Sequence, residues 1–207
     1  MIGFFNHSVI VTYLGVALSL IGIVMANQGA YEYAILCLVL ASACDTFDGK
    51  IARAMKNRTK EMIIFGTQID SLCDLVCFGV TPALICYFMG LRHAWGIAVE
   101  VLFVLCGVIR LAYFNTLEEI RHSENSQEPT SYFRGLPITS IAIIFPVVYL
   151  FHPLVSHETF SVILGIMLLT VAFFYIFDFK IKKPSNGVIA VLMFFMATVM
   201  LRVLHIF

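Results

Sequence analysis

Four aspartates in a chain otherwise built from apolar residues set the chemistry that this sequence can do. They fall in two runs, Cys44-Asp45-Thr46-Phe47-Asp48-Gly49-Lys50-Ile51-Ala52-Arg53 and Gly66-Thr67-Gln68-Ile69-Asp70-Ser71-Leu72-Cys73-Asp74. Spacings of three (Asp45, Asp48) and four (Asp70, Asp74) place each pair on one face of a helix, and Gly66, Asp70 and Asp74 form a single i, i+4 row. An ionised Asp at the centre of a bilayer costs roughly 2.5–3.5 kcal/mol on insertion scales. Four would cost on the order of 10 kcal/mol, comparable to a whole protein's stability. Positive charge must offset this, and carboxylate oxygens suit Mg²⁺ or Mn²⁺. Two such ions roughly 3.5–4 Å apart can bridge a diphosphate, so the pattern fits transfer of a phosphate-linked group. Gly49 and Gly66 let a flat ring approach the backbone, Ala52 keeps the face one turn from Asp48 shallow, and Arg53 offers a planar fork to phosphate.

The elements that carry these residues are membrane helices. The 207 residues are 60% hydrophobic and only 13% charged, with a mean hydropathy of +0.94. That composition excludes an ordinary soluble domain. Thirteen basic residues balance thirteen acidic ones, which leaves no basic excess for nucleic acid. We expect an all-α polytopic membrane protein, one integral membrane domain over residues 1–207, built as a bundle of about six to seven transmembrane helices. Seven apolar stretches qualify: 8–27, 32–54, 63–90, 94–115, 136–152, 159–178 and 187–206. The fifth is short and carries Pro146. The N-terminus lacks a basic region and a cleavage site, so the first stretch is expected to be retained. The six cysteines lie inside apolar stretches and predict no disulfide framework, and the scattered histidines predict no zinc site.

Threading the stretches with the N-terminus inside puts eleven of the thirteen Lys and Arg on one side, leaving Arg92 and Arg202 on the other. By the positive-inside rule the aspartates then lie near the cytoplasmic surface of the cell membrane.

The pattern D-x2-D-G-x2-A-R-x12-G-x3-D-x3-D resembles that of the CDP-alcohol phosphotransferases, membrane enzymes that displace CMP from a CDP-linked lipid with an alcohol. The family's usual gap between Arg and the second Gly is eight residues; the twelve found here predict a longer connection between the two helices. Three further stretches narrow the resemblance to bacterial phosphatidylserine synthases. Asp70-Ser71-Leu72-Cys73-Asp74, followed by Phe78-Gly79 and Pro82-Ala83, resembles their D-S-L-x-D-x3-F-G-x2-P-A. Arg110-Leu111-Ala112-Tyr113-Phe114-Asn115 resembles R-L-A-R-F-N, with Tyr113 in place of the second Arg. Phe133-Arg134-Gly135-Leu136-Pro137 resembles F-x-G-L-P, and Tyr175 to Lys183 weakly echoes a Y-P-S-F-K segment.

The resemblance implies metal ligation by Asp45, Asp48, Asp70 and Asp74, with two Mg²⁺ or Mn²⁺ ions and Asp74 also the general base. It implies CDP-lipid binding by Asp45, Asp48, Gly49, Ala52, Arg53, Gly66 and Asp70. The implied substrates are CDP-diacylglycerol and L-serine, the product besides the lipid is CMP, and membrane lipids and a second copy in a homodimer are implied partners. Arg110, Asn115 and Arg134 are candidates for the acceptor carboxylate or the lipid phosphate. Bland readings stand beside these. The aspartates could pair with Lys50, Arg53 and Lys56; Arg110 could snorkel to the interface; Arg134 could be a solvated loop charge. Ser71 reads as a packing residue and Glu100 as snorkelling outward or pairing across a dimer. Glycerol phosphate or inositol phosphate are rival acceptors, and a cation transporter is the rival of a different class.

Overall fold

Small residues decide how the first two helices meet. The computed structural model describes residues 7–55, 59–123, 132–182 and 186–204. Helix α1 (His7–Asn27) turns back at Gly29, whose φ of 81° is open to glycine, and α2 (Tyr31–Ala54) follows after Ala30. A Cβ on Gly22 would stand 3.1 Å from the Cys37 Cβ and 3.2 Å from the Ala34 carbonyl oxygen, and one on Gly15 would stand 3.6 Å from the Cys44 Cβ. Two glycines a heptad apart therefore face a stripe of Ala34, Cys37, Ala41 and Cys44. This is the small-residue interface by which membrane helices approach closely.

The second aspartate run sits on a long broken rod. Thr59 caps α3 (Lys60–Asp74) by accepting from the Met62 N–H at 3.3 Å. After Asp74 the helix widens into one π-helical stretch, Leu75–Val80, and narrows again into α4 (Thr81–Phe88). Pro82 explains the widening. It has no N–H to offer, and its ring would collide with the carbonyl four residues back in a regular helix. The Thr81 hydroxyl donates to the Val76 carbonyl five residues back, at 2.9 Å, and closes the loosened turn.

Helix α5 (Ala94–Ser123) runs 30 residues, about 45 Å at 1.5 Å per residue, and passes the end expected at residue 115 by two turns. A short strand β1 (Tyr132–Arg134) precedes a 3₁₀ turn and α6 (Ile141–Tyr149), which contains Pro146; α7 (His157–Ile176) follows, capped by Ser156. Strand β2 (Lys180–Lys182) pairs antiparallel with β1, Phe133 opposite Ile181, and α8 (Asn186–Val203) closes the described chain. Helices α1, α5 and α7 and the α3–α4 rod are long and apolar enough to cross a membrane. Helix α2 has the length but carries Glu32, Asp45 and Asp48, and the segments 138–154 and 191–203 are shorter apolar helices. The protein is an all-α polytopic membrane protein with one small two-stranded ribbon that sequence reading did not anticipate.

Two expectations change here. Glu100 does not snorkel outward: it is 9% exposed on α5, with Oε1 lacking a hydrogen-bond partner among the described residues. Ser71 is not simple packing, because its hydroxyl donates to Asn115 Oδ1 at 2.8 Å. Of the twelve residues between the motif halves, Ala54 and Lys60–Phe65 are helical. Part of the connection between the motif halves is therefore helix below Gly66. All six cysteines are free.

Candidate active site

Helix α2 delivers Asp45 and Asp48 near its C-terminal end, and α3 delivers Asp70 and Asp74 near its own. Asp45, Asp70 and Asp74 each offer a carboxylate oxygen that lies within 4.8 Å of the other two. Asp48 stands apart from that trio. Residues three apart differ by about 60° around a helix axis, so with Asp45 aimed at α3, Asp48 turns toward α1. There its Oδ2 accepts a 2.6 Å hydrogen bond from the Thr12 hydroxyl, which also lies 3.1 Å from the Ser8 carbonyl oxygen, and Asp48 is only 4% exposed.

The side-chain-poor positions of the motif do gather. Gly49 and Ala52 from α2 and Gly66 from α3 line one cavity of about 120 Å³ together with Thr12, Asp48 and Asp70. Asp70 is the one residue shared by the cavity and the carboxylate trio. The Arg53 side chain lies outside the described residues, as do Lys56 and Arg58, while Lys50 is exposed. A trio of hard oxygen donors fits a divalent cation of the Mg²⁺ or Mn²⁺ class and would otherwise hold like charges at close range.

Thr12 is the residue that sequence reading missed. Its signal was present: Ser8 and Thr12 form an i, i+4 polar pair on a mostly apolar helix. Thr12→Val keeps the shape and removes the hydrogen bond to a carboxylate, an interaction worth about 1.5–3 kcal/mol. CMP binding measured by calorimetry in the presence of Mn²⁺ is expected to weaken about tenfold or more, since 1.4 kcal/mol is a factor of ten. Unchanged affinity would mean that Thr12 does not hold Asp48 for binding.

The three candidates for acceptor contacts divide into two places. Asn115 faces α3: besides accepting from Ser71, its Nδ2 donates to Gln68 Oε1 at 3.4 Å. Arg110 and Arg134 meet on another side of α5. Arg110 Nη1 donates to the Arg134 carbonyl at 3.0 Å, and Arg134 Nη1 donates to the Tyr113 hydroxyl at 2.7 Å, with Arg134 Nε 3.7 Å from Asp178 Oδ1. Five residues on a helix differ by about 140°, which is why Arg110 and Asn115 diverge. Arg110 therefore binds backbone instead of snorkelling, and Tyr113, the departure from R-L-A-R-F-N, serves as partner to Arg134. The same loop is stitched to the end of α7: Gly135 N–H donates to the Phe179 carbonyl (2.7 Å), Leu136 N–H to Phe174 (3.1 Å) and Tyr175 OH to Ile138 (2.9 Å). The weak echo after Tyr175 is thus the structural partner of the Phe133–Pro137 stretch.

Gly135 shows how tight this junction is. Its φ is 69°, and an added Cβ would lie 3.1 Å from Arg110 Nη1 and 3.3 Å from the Phe177 carbonyl oxygen. Gly135→Ala is expected to cost about 1–2 kcal/mol in the left-handed region. A thermal melt in detergent should fall by a few degrees, and a melt equal to wild type would show that the junction relaxes freely.

A family model described as CDP-alcohol phosphatidyltransferase matches residues 5–176. The chain belongs to the CDP-alcohol phosphatidyltransferase family. Among the relatives of this family member, a Saccharomyces cerevisiae protein named CDP-diacylglycerol–serine O-phosphatidyltransferase is 37% identical over 113 residues, covering 54% of this chain and 40% of the relative. A Helicobacter pylori protein of the same name is 41% identical over 119 residues, 56% of this chain and 46% of its own. An archaetidylserine synthase from Methanothermobacter thermautotrophicus is 34% identical over 131 residues, 63% of this chain and 52% of its own. The chain spans about half the length of the curated relatives it matches.

Proposed function

We propose that this CDP-alcohol phosphatidyltransferase moves the phosphatidyl group of CDP-diacylglycerol onto the hydroxyl of L-serine, giving phosphatidylserine and CMP. The observation that carries this reading is the convergence of Asp45, Asp70 and Asp74 within 4.8 Å beside a cavity lined by Gly49, Ala52 and Gly66. Support for serine comes from the relatives, two of them named for serine transfer and one for archaetidylserine synthesis. The serine-type stretches at 70–83, 110–115 and 133–137 point the same way.

The chain's own residues divide the work. Gly49, Ala52 and Gly66 leave room for the cytidine against the backbone, with Arg53 at the phosphates. Asp74 accepts the proton of the serine hydroxyl as its oxygen bonds to the lipid-side phosphorus. The bond from that phosphorus to the oxygen bridging to CMP breaks, and CMP leaves with the electron pair. Two divalent cations, Mg²⁺ or Mn²⁺, held by Asp45, Asp48, Asp70 and Asp74, would supply the positive charge that the diphosphate and the departing CMP require. Attack is direct, with no phospho-enzyme stage. Arg110, Arg134 and Asn115 are the candidate contacts for the serine carboxylate or lipid phosphate. The basic asymmetry of the sequence supports a cytoplasmic active site, and a homodimer is expected from the family resemblance.

Purified protein with CDP-diacylglycerol and Mn²⁺ or Mg²⁺ tests the reading. CMP release is expected to require L-serine. Release only with glycerol phosphate or inositol phosphate would move the acceptor. Absence of release under every condition would overturn the transfer reaction.

A further inference from the structure

A second, larger cavity lies at the opposite end of the bundle from the aspartates. It has a volume of about 730 Å³ and is walled chiefly by Tyr31, Arg92, His93, Trp95, His157 and Glu158. Tyr31 precedes Asp45 by fourteen residues along α2, and Phe88, at the cavity's edge, follows Asp74 by fourteen along the rod. At 1.5 Å per residue each separation is about 21 Å, so the two sites sit near opposite faces of the membrane. The Tyr31 hydroxyl donates to the Phe88 carbonyl at 2.9 Å and ties those two helix ends together. The cavity is thus framed by the ends of α2, α4, α5 and α7, at the level of a membrane surface.

Arg92, Trp95 and His157 pack against the elements that frame the cavity. Arg92 Nε donates to the Tyr87 carbonyl (3.2 Å) and Nη2 to Phe88 (3.5 Å), while its guanidinium carbon stands 5.5 Å from the centre of the Tyr87 ring. A guanidinium has five N–H groups, so three donors remain beyond these two bonds. The His157 ring lies against Gly90 (φ 117°), where a Cβ would meet Nε2 at 2.7 Å, and the Trp95 ring lies against Gly165, where a Cβ would meet it at 2.6 Å. The Ser161 hydroxyl donates to the Gly90 carbonyl at 3.1 Å. Two glycines therefore make room for an imidazole and an indole at the cavity wall, and the arginine is held by the last carbonyls of α4.

We propose that this cavity binds a zwitterionic phosphodiester headgroup, one carrying a phosphate monoanion and an amine. The Arg92 guanidinium binds the phosphate, with His93 and His157 as further donors, and the Glu158 carboxylate binds the ammonium. Trp95, 45% exposed, packs on the glycerol region as interfacial tryptophans do. The volume lies in the range of small-molecule sites and exceeds what a bare ion needs. The proposal is independent of the transfer reaction.

Trp95 is the single tryptophan of the chain, so its fluorescence reports this site alone. Protein in maltoside detergent is titrated with dihexanoyl-phosphatidylethanolamine, dihexanoyl-phosphatidylglycerol, glycerophosphoethanolamine and dioctanoylglycerol. Saturable change is expected with the ethanolamine lipid, at least about threefold tighter than with the glycerol lipid, and no saturable change with dioctanoylglycerol. Arg92→Gln is expected to weaken the ethanolamine titration about tenfold, and Glu158→Gln to erase the preference over the glycerol lipid. Both side chains are exposed, and circular dichroism checks that each variant folds. Equal affinity for glycerophosphoethanolamine would support the headgroup chemistry and make a soluble phosphodiester its source. A titration unchanged by Arg92→Gln, equal affinity for the two lipids, or a matching response to dioctanoylglycerol would each overturn the proposal.

Discussion

Asp74→Asn is expected to lower serine-dependent CMP release by about 10²–10⁴-fold, the range that a positioned general base contributes. Asparagine keeps the size of the side chain and one oxygen, so binding of CDP-diacylglycerol should change far less than turnover. The informative measurement is the pair: kcat from CMP release and nucleotide affinity from calorimetry on the same preparation. Asp74 shares the carboxylate trio with Asp45 and Asp70, so some loss of metal affinity is expected alongside. A large loss of kcat with near-normal nucleotide affinity identifies the base. A variant with near-normal kcat removes Asp74 from that role, and a loss confined to affinity makes it a ligand only.

Asp70→Ala is expected to have the broadest effect on binding, because Asp70 alone belongs to both the trio and the cavity with Gly49, Ala52 and Gly66. Two ionised carboxylates within 4.8 Å of each other repel by about 3.5 kcal/mol or more at an effective dielectric of 20. Removing one should leave the metal-free protein as stable as wild type or more so, while abolishing the rise in melting temperature expected when Mn²⁺ is added to the wild type. Outer partners of metal ligands typically cost about 10–100-fold in affinity, and a ligand should cost at least that much in a Mn²⁺ titration. Equal Mn²⁺ stabilisation in variant and wild type would exclude Asp70 as a ligand. A fall in metal-free stability would instead favour the ion-pair reading of the aspartates, in which each carboxylate offsets a nearby cation.

Thr12 and Asp48 illustrate what a helix-periodicity argument misses. The 3.6-residue repeat placed Asp45 and Asp48 on one face, which holds in the sense that they are about 60° apart. That angle is enough to send one toward α3 and the other toward α1. Only the packing of α1 on α2 through Gly15 and Gly22 brings the Thr12 hydroxyl within 2.6 Å of Asp48. Likewise the arginines grouped by motif resemblance meet each other at the α5–α7 junction, while Asn115, five residues on, turns to Ser71 and Gln68.

The helical class, the membrane habit and the aspartate motif were all legible in the sequence, because hydropathy and i, i+4 spacing are local properties that survive without neighbours. Family membership is likewise legible in the sequence, where the family model matches residues 5–176. Tertiary structure decided the rest. It set which three carboxylates converge, which glycines face a cavity, that Glu100 is buried, and that the loop at Gly135 is bound to the end of α7. It also made the cavity around Arg92 and Trp95, whose walls come from three separate stretches of the chain, at residue 31, residues 88–95 and residues 157–162. The physical reason is that these features depend on interhelical approach and azimuth. A few tenths of an ångström at a glycine, or tens of degrees around an axis, choose the partner, and a linear pattern carries neither quantity.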